Sequence, residues 1–112
     1  MAYELRMVNA DTYNVVVTVS DENGAVVDLT GGGWSFSFES DTINKDSIAD
    51  PNDFAIETGI YTKGQVAIAI SCLETANQGT CRKHFSVVAF KPQTPPLRKT
   101  VADGTLYFVN EA

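Results

Sequence analysis

The sequence predicts an all-β protein, and three observations lead to this prediction. Apolar residues alternate with small or polar residues along several short stretches, as they do in strands with one buried face. Turn-forming pairs such as Asn-Gly and Asp-Gly separate these stretches. One short stretch alone has a composition typical of a helix. About seven or eight short strands in this order are typical of a two-sheet antiparallel sandwich or a small barrel.

The first predicted strands lie between residues 3 and 27. Tyr3 to Val8 forms one strand, and Tyr13 to Ser20 forms the next, with alternate valines on one face. The tetrad 21–24, Asp-Glu-Asn-Gly, predicts a turn because Asn and Gly both tolerate positive φ. We therefore expect Ala25 to Val27 to return as a short antiparallel partner.

The next strand, Trp34 to Glu39, follows three consecutive glycines. Gly31 to Gly33 permit a bend or a bulge that β-branched residues would not adopt. Within the strand the aromatic residues share one face, and Ser35 and Ser37 share the other. We expect the aromatic face to fill a core between two sheets, where each large side chain contributes about 1.5 to 3 kcal/mol when fully buried.

The second half of the chain contains four more predicted strands. Gln65 to Ile70 and Lys83 to Phe90 alternate in the same way as the earlier strands. Leu97 to Val101 and Thr105 to Asn110 are predicted to form a final hairpin across Ala102 to Gly104. These strands complete the two predicted sheets.

Two connections and the length of the chain complete the predicted architecture. Cys72 to Asn77 is helix-compatible and is predicted as a short helical crossover that ends at Gly79. Ser40 to Asp53 is polar and contains Pro51, which predicts an exposed loop or a poorly ordered excursion. Because 112 residues suffice for one core, we expect a single β-sandwich domain over residues 1–112.

The composition argues against several classes of partner. A formal net charge of −6, without a long basic run, argues against nucleic-acid binding. Glu4 and Arg6 interrupt the position of a signal-peptide core, and no apolar run approaches a membrane span. We expect a chain made in the cytoplasm that binds no membrane. Two cysteines, Cys72 and Cys81, favour free thiols in that compartment, with a disulfide left as an alternative.

The sequence does not predict an enzyme, a cofactor or a metal site. His84 is the sole histidine, so a histidine-based mechanism would depend on it, yet no nucleophile motif accompanies it. The aspartates of the 40–53 loop lack the spacing of a calcium loop, which favours a solvated acidic loop. Gly31 to Gly33 precede a strand, so they do not form a phosphate-binding loop. The acidic loop residues are Asp41, Asp46, Asp50 and Asp53.

Alternation divides the strand residues into a predicted core and a candidate interface. The candidate interface consists of Ser35 and Ser37 on one strand and Ala67 and Ala69 on another. A solvent-facing sheet more commonly carries Lys, Glu or Thr, so these small residues favour a protein–protein contact if their strands are neighbours. The edge strands 3–8 and 105–110 could also pair with a second chain. The predicted core residues are Val15, Val17, Val19, Trp34, Phe36, Phe38, Val66, Ile68, Ile70, Phe85, Val87, Leu106 and Phe108.

The run V-V-V-T-V-S-D-E-N-G-A-V-V-D-L-T-G, from Val15 to Gly31, is followed by the alternating aromatic strand. This run resembles the N-terminal domain of phage baseplate upper proteins and related tail-fibre attachment domains. The later elements of that pattern are G-Q-V-A-I at 64–68, L-E-T-A at 73–76 and G-T-L-Y-F-V at 104–109. The chain departs from it in its tripled glycine and in F-S-V at 85–87, where the family has an aromatic-Asp pair.

The resemblance implies an Ig-like antiparallel β-sandwich that acts as a phage virion structural protein. Such a protein would be a small adaptor or attachment module that docks tail, baseplate or fibre components. Its partners would be other virion structural proteins, and it would be a homo-oligomer or present in multiple copies. A capsid decoration protein is the alternative within this class. A carbohydrate- or cell-surface-binding module is the alternative of another class, which an exposed platform of Trp34 and the tyrosines would favour.

Overall fold

The protein folds into two β-sheets that pack face to face, which confirms the predicted all-β sandwich. The computed structural model describes residues 2–21, 23–29, 33–56, 64–92 and 95–110. The strands of the five-stranded sheet are β1 (Ala2–Val8), β3 (Ser35–Ser40), β4 (Asn44–Asp46), β7 (Cys81–Lys91) and β8 (Leu97–Val109). The three-stranded sheet contains β2 (Tyr13–Thr18), β5 (Phe54–Ile56) and β6 (Gln65–Ile70).

The order of strands departs from a purely antiparallel sandwich. The five-stranded sheet has the order β1-β8-β7-β3-β4, and the three-stranded sheet has the order β2-β6-β5. All of these pairs are antiparallel except β1 and β8, which run parallel, with Leu5 opposite Leu106. The antiparallel prediction was wrong for this pair because alternation defines the faces of a strand but not its direction. A parallel pair requires a long connection, which the rest of the chain provides.

The predicted C-terminal hairpin is also wrong, because Leu97–Val109 is one continuous strand. Ala102 to Gly104 continue the pairing with β7, and Gly104 lies opposite Phe85. The irregularity in this pair is a bulge instead of a turn. Thr100 pairs with Val88 and Ala102 with Val87, which leaves Val101 as the extra residue. An Asp-Gly pair permits a turn without requiring one, and pairing with β7 holds this one extended.

The segment 40–53 is more structured than the predicted loop. It contains β4 and a single 3-10 turn, Pro51–Asp53. Ile43 and Lys45 are buried, at 2% and 7% exposure. Phe38 pairs with Lys45, so β4 extends the sheet beyond β3. Ile43 and Lys45 follow the two-residue period of a strand. A lysine at a core-facing position, however, breaks the apolar pattern by which a strand is recognised in sequence.

Two smaller elements agree with the sequence. The crossover helix is confirmed as α1 (Cys72–Thr75), although it ends before the predicted Asn77 and Gly79. Ser71 and Glu74 cap it reciprocally. The return after the 21–24 turn is antiparallel, but it is one bridge between Ser20 and Val26 instead of a full strand. Gly33 has a φ of 82°, which suits a glycine before β3, whereas Gly31 and Gly32 lie outside the described residues.

The core lies between the two sheets. Phe38 and Phe85 stack at its centre, with ring centroids 5.5 Å apart. All of the residues predicted for the core are buried except Trp34, which is half-buried at one end of the sandwich. Met7 from the predicted first strand joins this cluster, as do Leu29 and Ile43 from segments that were not predicted as strands.

Candidate docking surfaces

Among the described residues, the outer side of the three-stranded sheet carries uncharged side chains, and we call this surface the alanine face. Its central row runs from Val16 through Ala67 to Ala55, because Ala67 pairs with both of the others. Val16 is 54% exposed, whereas the neighbouring Val15 and Val17 are buried. Alternation in three adjacent strands therefore exposes small and uncharged residues together. The alanine face consists of Asn14, Val16, Thr18, Ala55, Gln65, Ala67 and Ala69.

The outer side of the five-stranded sheet carries a concave surface of about 370 Å³, which we call the serine groove. Ser35 pairs with Phe90 and Ser37 with Val88, so small and large side chains lie side by side. Ile48 stands at the rim and is 81% exposed. The serine groove consists of Ser35, Phe36, Ser37, Asp46, Ile48, Ala49, Val88 and Phe90.

Hydrogen bonds fix the rim of the serine groove. The Oδ1 atom of Asp46 accepts hydrogen bonds from the backbone N–H groups of Ile48 and Ala49, at 2.9 and 2.8 Å. The Ser47 hydroxyl accepts a hydrogen bond from the backbone N–H group of Phe36, which ties this turn to β3. The exposed Ile48 side chain is thus presented by an ordered turn, and the Asp46 carboxylate is used within the turn itself.

The four candidate interface residues do not form one surface. Ser35 and Ser37 lie in the five-stranded sheet, whereas Ala67 and Ala69 lie in the three-stranded sheet. Their strands are not neighbours, so the condition for a single interface made of these four residues is not met. Alternation shows which residues share a face of one strand, but it does not show which strands pair. Because the outer faces of a sandwich point away from each other, the two pairs belong to surfaces on opposite sides of the molecule.

A second concave surface, the Trp34 cleft, opens between the sheets at one end of the sandwich. It has a volume of about 370 Å³. The Nζ atom of Lys91 lies 5.5 Å from the centroid of the Trp34 ring, and the Nζ atom of Lys99 donates a hydrogen bond to the carbonyl oxygen of Ser20. The cleft is lined by Val19, Ser20, Asp21, Val27, Trp34, Leu97, Arg98 and Lys99.

A buried lysine links the two sheets at a third location. The Nζ atom of Lys45 donates hydrogen bonds to Glu74 Oε1 at 2.6 Å, to Asp53 Oδ2 at 3.0 Å and to the carbonyl oxygen of Ala69 at 2.7 Å. The Lys45 side chain is 4% exposed. Burial by itself lowers the pKa of Lys45, but the hydrogen bonds and charges of Glu74 and Asp53 outweigh burial and raise the pKa above 10.5. The ammonium group stays charged and holds β4 against β6.

The residues that the sequence raised for catalysis or metal binding are dispersed. His84 is exposed and lies opposite Thr105 on the outer side of the five-stranded sheet. Asp46 and Asp53 serve the turn and the lysine described above. Among the described residues, no group of three His, Cys, Asp or Glu side chains is placed to hold a metal ion. Cys72 and Cys81 are both free thiols.

The tyrosines do not join Trp34 in a common platform within the described part of the chain. The Tyr13 hydroxyl accepts a hydrogen bond from the backbone N–H group of Val8 at 2.7 Å. Tyr107 lies under the guanidinium group of Arg82, 4.1 Å from the ring centroid. Tyr61 and the side chain of Tyr3 lie outside the described residues.

Sequence reasoning missed the Lys45 network and the Trp34 cleft. A signal for the first was present, because Ser71-x-x-Glu74 is the pattern of a capping box and predicts an ordered Glu74. The cleft had no such signal. Its walls come from the 19–27 hairpin, from Trp34 just before β3 and from the start of β8, and the packing of these three segments is not visible in sequence.

No family model matches this chain, and no curated protein matches it with statistical significance.

Over the described ranges, the structure contains no helix long and apolar enough to cross a membrane.

Proposed function

We propose that this protein is a non-enzymatic phage virion structural protein, an adaptor that docks tail, baseplate or fibre components by protein–protein contacts. One observation carries the proposal: the alanine face and the serine groove lie on opposite sides of one sandwich. An adaptor must contact two neighbours at once, and two outward surfaces on opposite sheets permit this. The sequence resemblance supplies the phage context of the proposal.

The alanine face suits a close contact with a second β-sheet. Its side chains carry no charge in a chain with 22 charged residues among 112, counting Lys, Arg, Asp and Glu. The largest cost of burying a polar surface is the removal of charged groups from water. Burial of the alanine face does not incur this cost. Small side chains also let a partner's backbone approach closely. We assign this face to a flat partner surface without charges.

The serine groove suits a protruding apolar side chain of a different partner. Ile48 and Phe90 are both exposed, at 81% and 38%, and they flank the small side chains of Ser35 and Ser37. Apolar anchors that enter such concave sites dominate the energy of many protein interfaces. The two surfaces therefore differ in shape and would select different partners.

A capsid decoration protein would use the same two surfaces, and its position on the particle distinguishes it from a tail adaptor. Carbohydrate binding has less support, because Tyr13 and Tyr107 are engaged elsewhere and Trp34 is half-buried. Cryo-electron microscopy of particles from the source culture separates these alternatives. Ordered copies between two virion components are the expected result, and absence of the chain from particles by mass spectrometry would reject the proposal.

Three matched variants test the surfaces themselves. Ala67→Arg places a charge on the alanine face, and Ser37→Arg places one in the serine groove. Thr105→Arg is the control, because Thr105 is half-buried on the outer side of the five-stranded sheet, between Glu4 and His84 and outside both surfaces. We expect all three to fold and only the first two to lose binding, each to a different virion component in pull-down assays. Unchanged binding of both variants would refute the adaptor role.

A further inference from the structure

The five-stranded sheet has an edge that β1 does not cover. β1 pairs with β8 only from Asp103 to Val109, whereas β8 begins at Leu97. Residues 97–102 pair with β7 on one side, apart from the bulge residue Val101, and no described strand pairs with their other side. Backbone N–H and C=O groups along such an edge are available to an additional strand.

The Trp34 cleft opens directly beside this edge. Leu97 and Lys99 belong both to the uncovered stretch and to the wall of the cleft. Because side chains alternate between the faces of a strand, a strand added beside β8 would direct every second side chain toward the gap between the sheets. The cleft offers apolar contacts there from Val19, Val27 and Trp34. The uncovered edge of β8 can pair with the backbone of an added strand, and the cleft can receive its side chains. Together they form a candidate strand-addition site.

The charges around the edge favour an acidic occupant. Arg98 is exposed beside the cleft, Lys99 lines it, and Lys91 lies over the Trp34 ring. Three of the eight Lys and Arg residues thus gather at one end of a chain with net charge −6. Asp21 also lines the cleft, but its Oδ1 atom accepts hydrogen bonds from two backbone N–H groups of its own turn.

We propose that an extended, acidic segment of a partner protein adds a strand to β8 along residues 97–102 and inserts one apolar side chain into the Trp34 cleft. This inference rests on the proposed docking function and names one kind of partner for it. Main-chain hydrogen bonds provide affinity in this mode of recognition, and the side-chain pocket provides specificity. The cations add attraction for acidic residues that flank the inserted side chain.

Trp34 is the single tryptophan of the chain, so its fluorescence reports on the cleft. The probe is a short tryptophan-free peptide in which Val and Glu alternate around a central Leu. One control peptide has Lys in place of each Glu, and the other has Pro in place of two valines, which prevents strand pairing. We expect the acidic peptide alone to change the fluorescence saturably and to slow amide hydrogen exchange at residues 97–102.

Charge reversal gives the complementary test. The double variant Lys91→Glu/Arg98→Glu should weaken binding of the acidic peptide by about tenfold or more and should favour the lysine peptide. A fusion of the acidic peptide to the N-terminus of the chain makes binding detectable even when the free peptide binds weakly. β1 runs parallel to β8, so a segment ahead of β1 starts near residue 102, and tethering gives an effective concentration in the mM range.

Three results would overturn the inference: no exchange protection in the fusion protein, equal responses to all peptides, or a fluorescence response to an acidic sugar such as glucuronate but to no peptide. These outcomes are separate from those of the adaptor proposal. If the edge fails while Ala67→Arg and Ser37→Arg still lose their partners, the adaptor role stands and the strand addition is rejected. If the edge binds its peptide while those two variants behave like the parent, the strand addition stands and the adaptor role is rejected.

Discussion

The ammonium group of Lys45 lies 2.6 Å from the carboxylate oxygen Oε1 of Glu74. Lys45 belongs to the five-stranded sheet, whereas Glu74 caps the helix that follows the three-stranded sheet. The same Glu74 oxygen accepts a hydrogen bond from the backbone N–H group of Ser71 at 3.0 Å. One carboxylate therefore orders the helix and neutralises a lysine that is almost completely buried.

Removal of this cation should destabilise the fold. Lys45→Met keeps the length of the side chain but leaves Glu74 and Asp53 near each other without a positive charge. Because both carboxylates are partly exposed, we expect a loss of about 1–3 kcal/mol in the free energy of unfolding instead of the larger cost of a fully buried pair. Urea denaturation measures it. Glu74→Gln, which keeps an acceptor for Ser71, should cost less, and a cost for Lys45→Met below about 0.5 kcal/mol would contradict the assignment.

The raised pKa of Lys45 predicts a dependence of stability on alkaline pH. A lysine whose pKa is raised in the folded state contributes stability fully below its unfolded pKa, here 10.5, and loses it as the pH rises through the folded pKa. The parent protein should lose more stability above this pH than Lys45→Met does. Urea denaturation on both sides of the transition tests this, with Lys83→Met as a control for the loss of one lysine. Parallel losses in the parent and in Lys45→Met would contradict the prediction.

Gly64 lies against the 19–27 hairpin, and this contact predicts a large effect of a single added methyl group. A Cβ atom at Gly64 would overlap the side chain of Val26 and would lie 2.8 Å from the carbonyl oxygen of Val27. We expect Gly64→Ala to destabilise the protein by about 1–3 kcal/mol, as overpacking does. Thermal unfolding measures it. Val26→Ala in the same chain should restore part of the loss, because it removes one of the two overlaps; a purely additive double variant would refute this reading.

Two phenylalanines on opposite faces of the five-stranded sheet should behave differently. Phe38 is fully buried against Phe85, so Phe38→Ala should cost about 3–5 kcal/mol. Phe90 is 38% exposed in the serine groove, so Phe90→Ala should have a smaller effect on unfolding and should weaken docking instead. Denaturation and pull-down assays on both variants separate core from interface. Equal destabilisation by the two would show that Phe90 belongs to the core.

The composition of the core could be predicted from sequence because alternation identifies buried faces one strand at a time. Val15, Phe36 and Ile68 are buried for this reason. Trp34 differs because it precedes β3 at the open end of the sandwich, where the opposite wall is a hairpin.

The arrangement of strands was less predictable, because pairing depends on packing between distant segments. The parallel contact of β1 with β8 and the separation of Ser35 from Ala67 both follow from strand order. The sequence therefore identified only part of each candidate surface. The small outward residues were identified, but the concave shapes around Ile48 and Trp34 require the assembled sheets.

The parallel pairing of β1 and β8 has a consequence for folding during synthesis. Ala2 lies opposite Asp103, about 100 positions further along the chain, so β1 emerges from the ribosome long before its partner strand exists. Until then the buried side chain of Met7 has no completed sheet to cover it. Such distant contacts raise the mean contact order, and proteins dominated by them fold in roughly milliseconds to seconds. Closure of the five-stranded sheet therefore has to wait until β8, the last of its strands in chain order, has been synthesised.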